Sequence, residues 1–140
     1  LVRGPRVLDV GTGAGLPGVP LAIMLPGVEF TLLDTNSKKT RFVNQVKLEL
    51  GLDNLTVVQH RVEKFQSTTG FDTITSRAFA SLGDMLQGSR QLLAANGQWL
   101  AMKGQLPEQE IARLAPTYAV RWEALSVPEE TGSRHAIIIQ

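Results

Sequence analysis

The chain has 140 residues, 43% of them hydrophobic and 19% charged, a composition that suits one globular domain, residues 1–140, and excludes a disordered or fibrous chain. There is no cysteine, only two histidines (His60 and His135), and a net charge of +1. This excludes a disulfide frame and a thiolate metal site, leaves no metal expected, and requires any nucleic-acid binding to come from a local basic patch. No apolar run approaches the ~20 residues of a membrane span and no signal peptide is visible, so no membrane is expected and cytoplasm is the expected compartment.

The first predicted strand begins almost at once, with Val7, Leu8 and Val10, which suggests a core domain cut just upstream of its first strand. Gly11, Gly13, Gly15 and Gly18 then turn the chain, and Pro20 suits a first helical turn. A strand, a glycine turn and a helix start make a nucleotide-type site. Two chemistries compete for it. Gly13-Ala-Gly15-Leu-Pro-Gly18 fits the dinucleotide fingerprint, with Asp34 following at the end of the next strand. Against that, Asp9 lies inside the strand, where it can order the turn and attract the ammonium of a bound amino acid. Pro17 and Pro20 are expected to push the helix start beyond Gly18, leaving no helix N-terminus for a pyrophosphate. Adenosylmethionine carries a sulfonium, an amino group and a carboxylate but no phosphate. The Asp-x-Gly-x-Gly-x-Gly pattern resembles motif I of class I methyltransferases, and Asp9, Gly11 and Gly13 become candidate cofactor residues.

Val28 to Asp34 reads as a second strand beside the first, and Asp34 can accept from both ribose hydroxyls. The alternative is a helix cap, which Asn36 or Ser37 already supplies. Ser37 to Leu50 has helical spacing, with Phe42, Val43, Val46 and Leu50 on one face, and Gly51 ends it. Leu55 to Gln59 is a third strand. Beyond it, Val62 N–H and the Glu63 carboxylate can hold an adenine edge, while His60 reads as a polar strand-end residue. Phe71 to Ser76 is the fourth strand. Arg77 directly follows it, where a doubly wound sheet keeps its crevice; a structural ion pair is the alternative. Ser81 and Asp84 are spaced as a capping box for a helix running through Leu82, Met85, Leu86, Leu92 and Leu93 to Asn96-Gly97. Trp99 to Met102 is the fifth strand, with Lys103 at its end, and Pro107 with Glu108 and Glu110 opens a short helix. Ala119 to Val127 and Arg134 to Gln140, joined by a short polar link, should pair antiparallel. The expected fold is a Rossmann-like, doubly wound, mostly parallel sheet closed by an antiparallel hairpin.

Asp9 to Pro20 resembles the signature of the glucose-inhibited division protein B family, bacterial methyltransferases acting on guanine N7 in 16S ribosomal RNA. The likeness continues through Thr31-Leu-Leu-Asp34, Arg61-Val-Glu63, Ser76-Arg-Ala-Phe-Ala-Ser81, Met102-Lys-Gly-Gln105 and Arg134-His135. The resemblance implies that Gly11, Leu16, Val62, Glu63 and Arg77 stand at cofactor-binding positions, with Asp34 at the ribose. It implies S-adenosyl-L-methionine as cofactor and 16S RNA or the small ribosomal subunit as partner, with the protein acting as a monomer. Family members carry helices before the first strand that have no counterpart here. Methylation at N7 releases no proton, so no general base is required and catalysis is positioning. Arg61, Arg77 and Lys103 would then bind phosphates or the guanine O6 edge. An NAD-dependent oxidoreductase is the alternative, needing a proton-relay residue that Tyr118 is badly placed to supply. A non-catalytic ribosomal RNA-binding module is the third reading, and it would not need the glycine turn or Asp34.

Overall fold

The computed structural model describes residues 1–125 and 134–140. Side-chain alternation along β1 (Arg6–Val10) sets its layers. Val7 joins one apolar cluster, with Val19, Ala22, Phe30, Leu32, Val43 and Leu55. Leu8 and Val10 join the other, with Ile74, Met85, Trp99, Ile137 and Ile139. Asp9 has the parity of Val7, so it is aimed at the first of these layers. There it lies beneath α1 (Gly18–Met24), completely buried.

The chain continues through β2 (Glu29–Asp34), α2 (Ser37–Leu50), β3 (Leu55–Gln59), a 3-10 turn at Val62–Lys64, and β4 (Phe71–Ser76). It then forms α3 (Leu82–Ser89), β5 (Leu93–Lys103), α4 (Glu108–Leu114), β6 (Val120–Ala124) and β7 (His135–Ile139). Among the described residues the seven strands lie in the order β3-β2-β1-β4-β5-β7-β6. β1 to β5 run parallel, while β7 is antiparallel to both β5 and β6. Strand order therefore reverses between β1 and β4, and a crevice opens outside their carboxyl ends.

Local chemistry explains most boundaries. Asn36 Oδ1 accepts from Lys39 N at 3.1 Å to cap α2, and Gly51 ends it in the left-handed region at φ 63°. Ser81 Oγ accepts from Asp84 N at 3.1 Å to cap α3. A further free N–H of the first turn, Leu82 N, is satisfied from α4, since Glu110 Oε1 accepts from it at 2.7 Å.

Four expectations change. The helix start is not displaced: α1 begins at Gly18 itself. α3 stops at Ser89 and does not run to Asn96, because Ser89 Oγ donates to Met85 O at 2.5 Å and accepts from Trp99 Nε1 at 3.0 Å. A 3-10 turn at Arg90–Leu92 leads directly into β5, whose Leu93 pairs with Phe71; β5 is thus longer than Trp99 to Met102. Phe42 and Leu50 do not join Val43 in the core but remain 53% and 54% exposed. The antiparallel pairing of β6 and β7 holds, while the polar link between them lies outside the described residues.

Candidate active site

The glycine turn leaves β1 tied to β2, with Gly11 N and Thr12 N both donating to Leu33 O at 2.7 and 3.1 Å. Two glycines are required here for different reasons. Gly11 has φ +67°, and a Cβ there would collide with the Ala78 side chain. Gly13 has φ +57°, and a Cβ there would meet nothing within 4 Å, so the backbone borders open space. Beneath the turn, Asp9 Oδ2 accepts from Thr12 Oγ1 at 2.8 Å and from Gly18 N at 3.0 Å. Asp9 Oδ1 is buried without a hydrogen-bond partner. Burial pushes the Asp9 carboxyl up to about 7, opposed by the Thr12 and Gly18 hydrogen bonds and by the charge of Arg77; Asp34 adds a smaller upward push.

Asp34 braces the turn from the side. Its Oδ2 accepts from Gly13 N at 2.8 Å and its Oδ1 from Asn36 N at 2.9 Å. Each oxygen keeps acceptor capacity beyond these bonds. Asp34 lines a cavity of about 330 Å³ with Gly11, Arg61, Val62, Glu63 and Phe79. Val62 opens the 3-10 turn, so its N–H stands in a first turn, where helical N–H groups lack intrahelical acceptors.

A second cavity, of about 480 Å³, lies beyond the turn, with Leu16, Arg77, Met102, Lys103, Arg134 and His135 on its walls. The geometry divides the sequence-derived residues in two, apart from Asp9 and Gly13, which line neither cavity. Gly11, Asp34, Val62 and Glu63 share the first cavity, together with Arg61, expected instead on the substrate side. Leu16 and Arg77, expected on the cofactor side, line the second with Lys103. Arg77 and the neighbouring Ala78 and Phe79 form a single loop after β4 that touches both cavities. Lys103 Nζ donates to Phe79 O at 3.4 Å across this junction.

Sequence reasoning missed Phe79, His60 and His135 as lining residues. The signal for both histidines was their place at strand ends on one rim of a parallel sheet. A larger cavity of about 630 Å³, lined by Arg6, Glu29, Asp53 and Phe65 among others, lies toward the amino ends of β1 and β2. It is distant from the glycine turn and shares none of its residues. Among the described residues no cluster of His, Asp and Glu could hold a metal ion, and no helix is long and apolar enough to cross a membrane.

Comparison with known proteins gives a consistent result. The family model described as rRNA small subunit methyltransferase G (GidB) matches residues 2–137. A relative from Stutzerimonas stutzeri (strain A1501), named ribosomal RNA small subunit methyltransferase G, is 55% identical over 139 residues, covering 99% of this chain and 65% of its own length. One of the same name from Salmonella arizonae is 52% identical over 140 residues, covering 99% of this chain and 68% of its own. This chain thus spans about two thirds of the length of these relatives. Among solved structures, precorrin-6y C5,15-methyltransferase from Geobacter metallireducens GS-15 superimposes with a TM-score of 0.77 over 98% of this chain and 80% of its own, at 13% identity. That likeness concerns the fold, which is the class I methyltransferase fold.

Proposed function

Because the chain belongs to the rRNA small subunit methyltransferase G family, we propose that residues 1–140 form one S-adenosylmethionine-binding core domain whose reaction is methylation of N7 of a guanine in 16S ribosomal RNA. The protein would act as a cytoplasmic monomer on RNA or on the small ribosomal subunit. The observation that carries the cofactor choice is the hydrogen bond from Gly18 N to Asp9 Oδ2 at 3.0 Å. In a dinucleotide fold the N-terminus of this helix receives a pyrophosphate. Here α1 does begin beside the turn, but its first N–H is already held by an internal carboxylate, which would repel a bound phosphate. An amino acid's ammonium is attracted instead.

The residues fit such a cofactor. The backbone at Gly13 borders open space, and Asp34 keeps acceptor capacity for two ribose hydroxyls. Val62 N–H and Glu63 suit an adenine edge, with Gly11 and Leu16 flanking the turn. When bound, adenosylmethionine supplies a methyl group on a sulfonium. The chain's task is then to hold guanine N7, an unprotonated lone pair, in line with that methyl. No general base is needed because no proton leaves. Arg61, Arg77 and Lys103 supply cations for phosphate or for the O6 edge.

Calorimetric titration with adenosylmethionine, adenosylhomocysteine and NAD tests the cofactor; saturable NAD heat with none from adenosylhomocysteine would overturn the reading. Asp34→Ala should weaken adenosylhomocysteine binding by about 1.5–3 kcal/mol for each charge-assisted hydrogen bond lost. It should also lower the melting temperature, because Gly13 N and Asn36 N lose their acceptor. Unchanged affinity with a lower melting temperature would make Asp34 purely structural. Arg77→Lys keeps the charge but loses the planar fork. Methyl transfer to 16S RNA should drop at least ~10-fold, the equivalent of about 1.4 kcal/mol, with little change in melting temperature. Wild-type transfer with a fall of several degrees would identify Arg77 as an ion-pair partner.

A further inference from the structure

His135 opens β7 directly opposite Lys103 of β5 in the antiparallel ladder. Directly opposed residues leave the same face of a sheet with Cβ atoms about 4.5–5.5 Å apart, and both side chains line the second cavity. His135 Nδ1 lies 3.0 Å from Gly104 O. A carbonyl oxygen can only accept, so Nδ1 carries the hydrogen and donates it. In the neutral imidazole, Nε2 is then a bare acceptor. Lys103 Nζ is donor-only, and one of its three hydrogens is directed to Phe79 O at 3.4 Å. The wall of the cavity thus carries a donor and an acceptor on directly opposed residues.

We propose that this pair reads the target base: Lys103 Nζ donates to guanine O6, and His135 Nε2 accepts from guanine N1–H. The proposal rests on the functional reading above and assigns its substrate-specifying residue. Guanine presents O6 and N1–H side by side on its perimeter. Adenine presents the reverse, an amino donor and a bare N1, so both contacts would be mismatched. A site that hydrogen-bonds one pattern disfavours its inverse, because a seated adenine would set donor against donor and acceptor against acceptor. O6 also separates N1 from N7, so gripping the base by O6 and N1 leaves N7 open to the methyl.

The same contact contributes to rate. As N7 takes the methyl, positive charge spreads over the guanine ring and N1–H becomes a stronger donor. The N1–H bond stays intact, but its hydrogen bond to a neutral Nε2 strengthens in the transition state. Interactions that strengthen only there raise kcat.

The test compares His135→Phe, which has no acceptor, with His135→Gln, whose Oε1 can accept. Each is assayed on small subunits carrying guanine, inosine or 2-aminopurine at the target position. Inosine keeps O6 and N1–H, while 2-aminopurine lacks both. His135→Phe should lower kcat at least ~10-fold on guanine and on inosine. It should leave the already poor 2-aminopurine rate unchanged, and His135→Gln should recover part of the loss. Equal losses on all three bases, or none on guanine, would overturn the proposal. So would ¹⁵N NMR placing the His135 hydrogen on Nε2 in the folded protein. Absence of guanine-N7 transfer by the wild type would instead sink the functional reading beneath it.

Discussion

Asp9→Asn should make the ligand-free protein more stable at pH 8 and at the same time weaken adenosylhomocysteine binding at least ~10-fold. The carboxyl is raised to about 7 in the folded chain, chiefly by burial, from its ordinary value of 3.8. Between about pH 4 and pH 7 the folded state therefore keeps a proton that the unfolded state has released. Stability falls as pH rises through that window, by at most about 1.4 kcal/mol per pH unit, and is level above it. Asparagine cannot ionise. Its Oδ1 can accept from Thr12 and Gly18, while its amide nitrogen takes the place of the partnerless Oδ1. An unsatisfied buried amide costs about 1–3 kcal/mol, but a neutral carboxyl carries a similar cost, so the ionisation penalty is what disappears. Denaturant melts at pH 5 and pH 8 check this: the wild type should lose stability between them and the variant should not. A wild type that gains stability over that interval would refute the assignment. The affinity loss follows separately, since the negative charge beneath the turn is removed.

Gly11→Ala should lower stability by about 2–4 kcal/mol and abolish measurable cofactor binding. Two costs combine. An alanine at φ +67° is held in the left-handed region, at about 1–2 kcal/mol. Its Cβ also collides with the Ala78 side chain, forcing the turn or the loop after β4 to move. Both border the first cavity, so either movement distorts it. Ala78→Gly separates the two costs. In that background Gly11→Ala loses its clash but keeps its backbone strain, and about half the stability should return. If the double variant is no more stable than Gly11→Ala alone, the close approach to Ala78 is not what requires the glycine.

The parallel core was legible in the sequence because its signals are local. Short apolar runs ending at Val10, Asp34, Gln59 and Ser76, each followed by a polar or glycine turn, mark β1 to β4 closely. The α3 cap at Ser81 follows from side-chain chemistry alone, and the sequence narrows the α2 cap to Asn36 or Ser37, of which Asn36 is the one that accepts from Lys39 N. What was missed depends on distant partners. Leu92 and Leu93 have helical spacing after Met85, yet Trp99 binds Ser89 and Phe71 pairs with Leu93, so the chain leaves the helix early. Phe42 and Leu50 fit an apolar helical face, but only part of that face has a sheet beneath it. The division of the site into two cavities was equally hidden. It depends on how the loop after β4 meets the glycine turn, which no spacing within either segment encodes.

The position of β7 has a consequence for how the molecule opens. Among the described residues, β6 is hydrogen-bonded to the sheet only through β7, and β7 is inserted between β5 and β6. β7 therefore cannot leave β5 without carrying β6 with it, and amide hydrogen exchange should report an opening free energy for β6 no higher than that of β7. The first cavity is built from β1, β2 and the turns after β3 and β4, whereas the second takes His135 from β7. A partly open state can thus keep the first cavity intact while the second loses the wall that β7 supplies. Slow exchange at Val10 and Leu33 with faster exchange at Ile137 and Ile138 would be the signature of such a state.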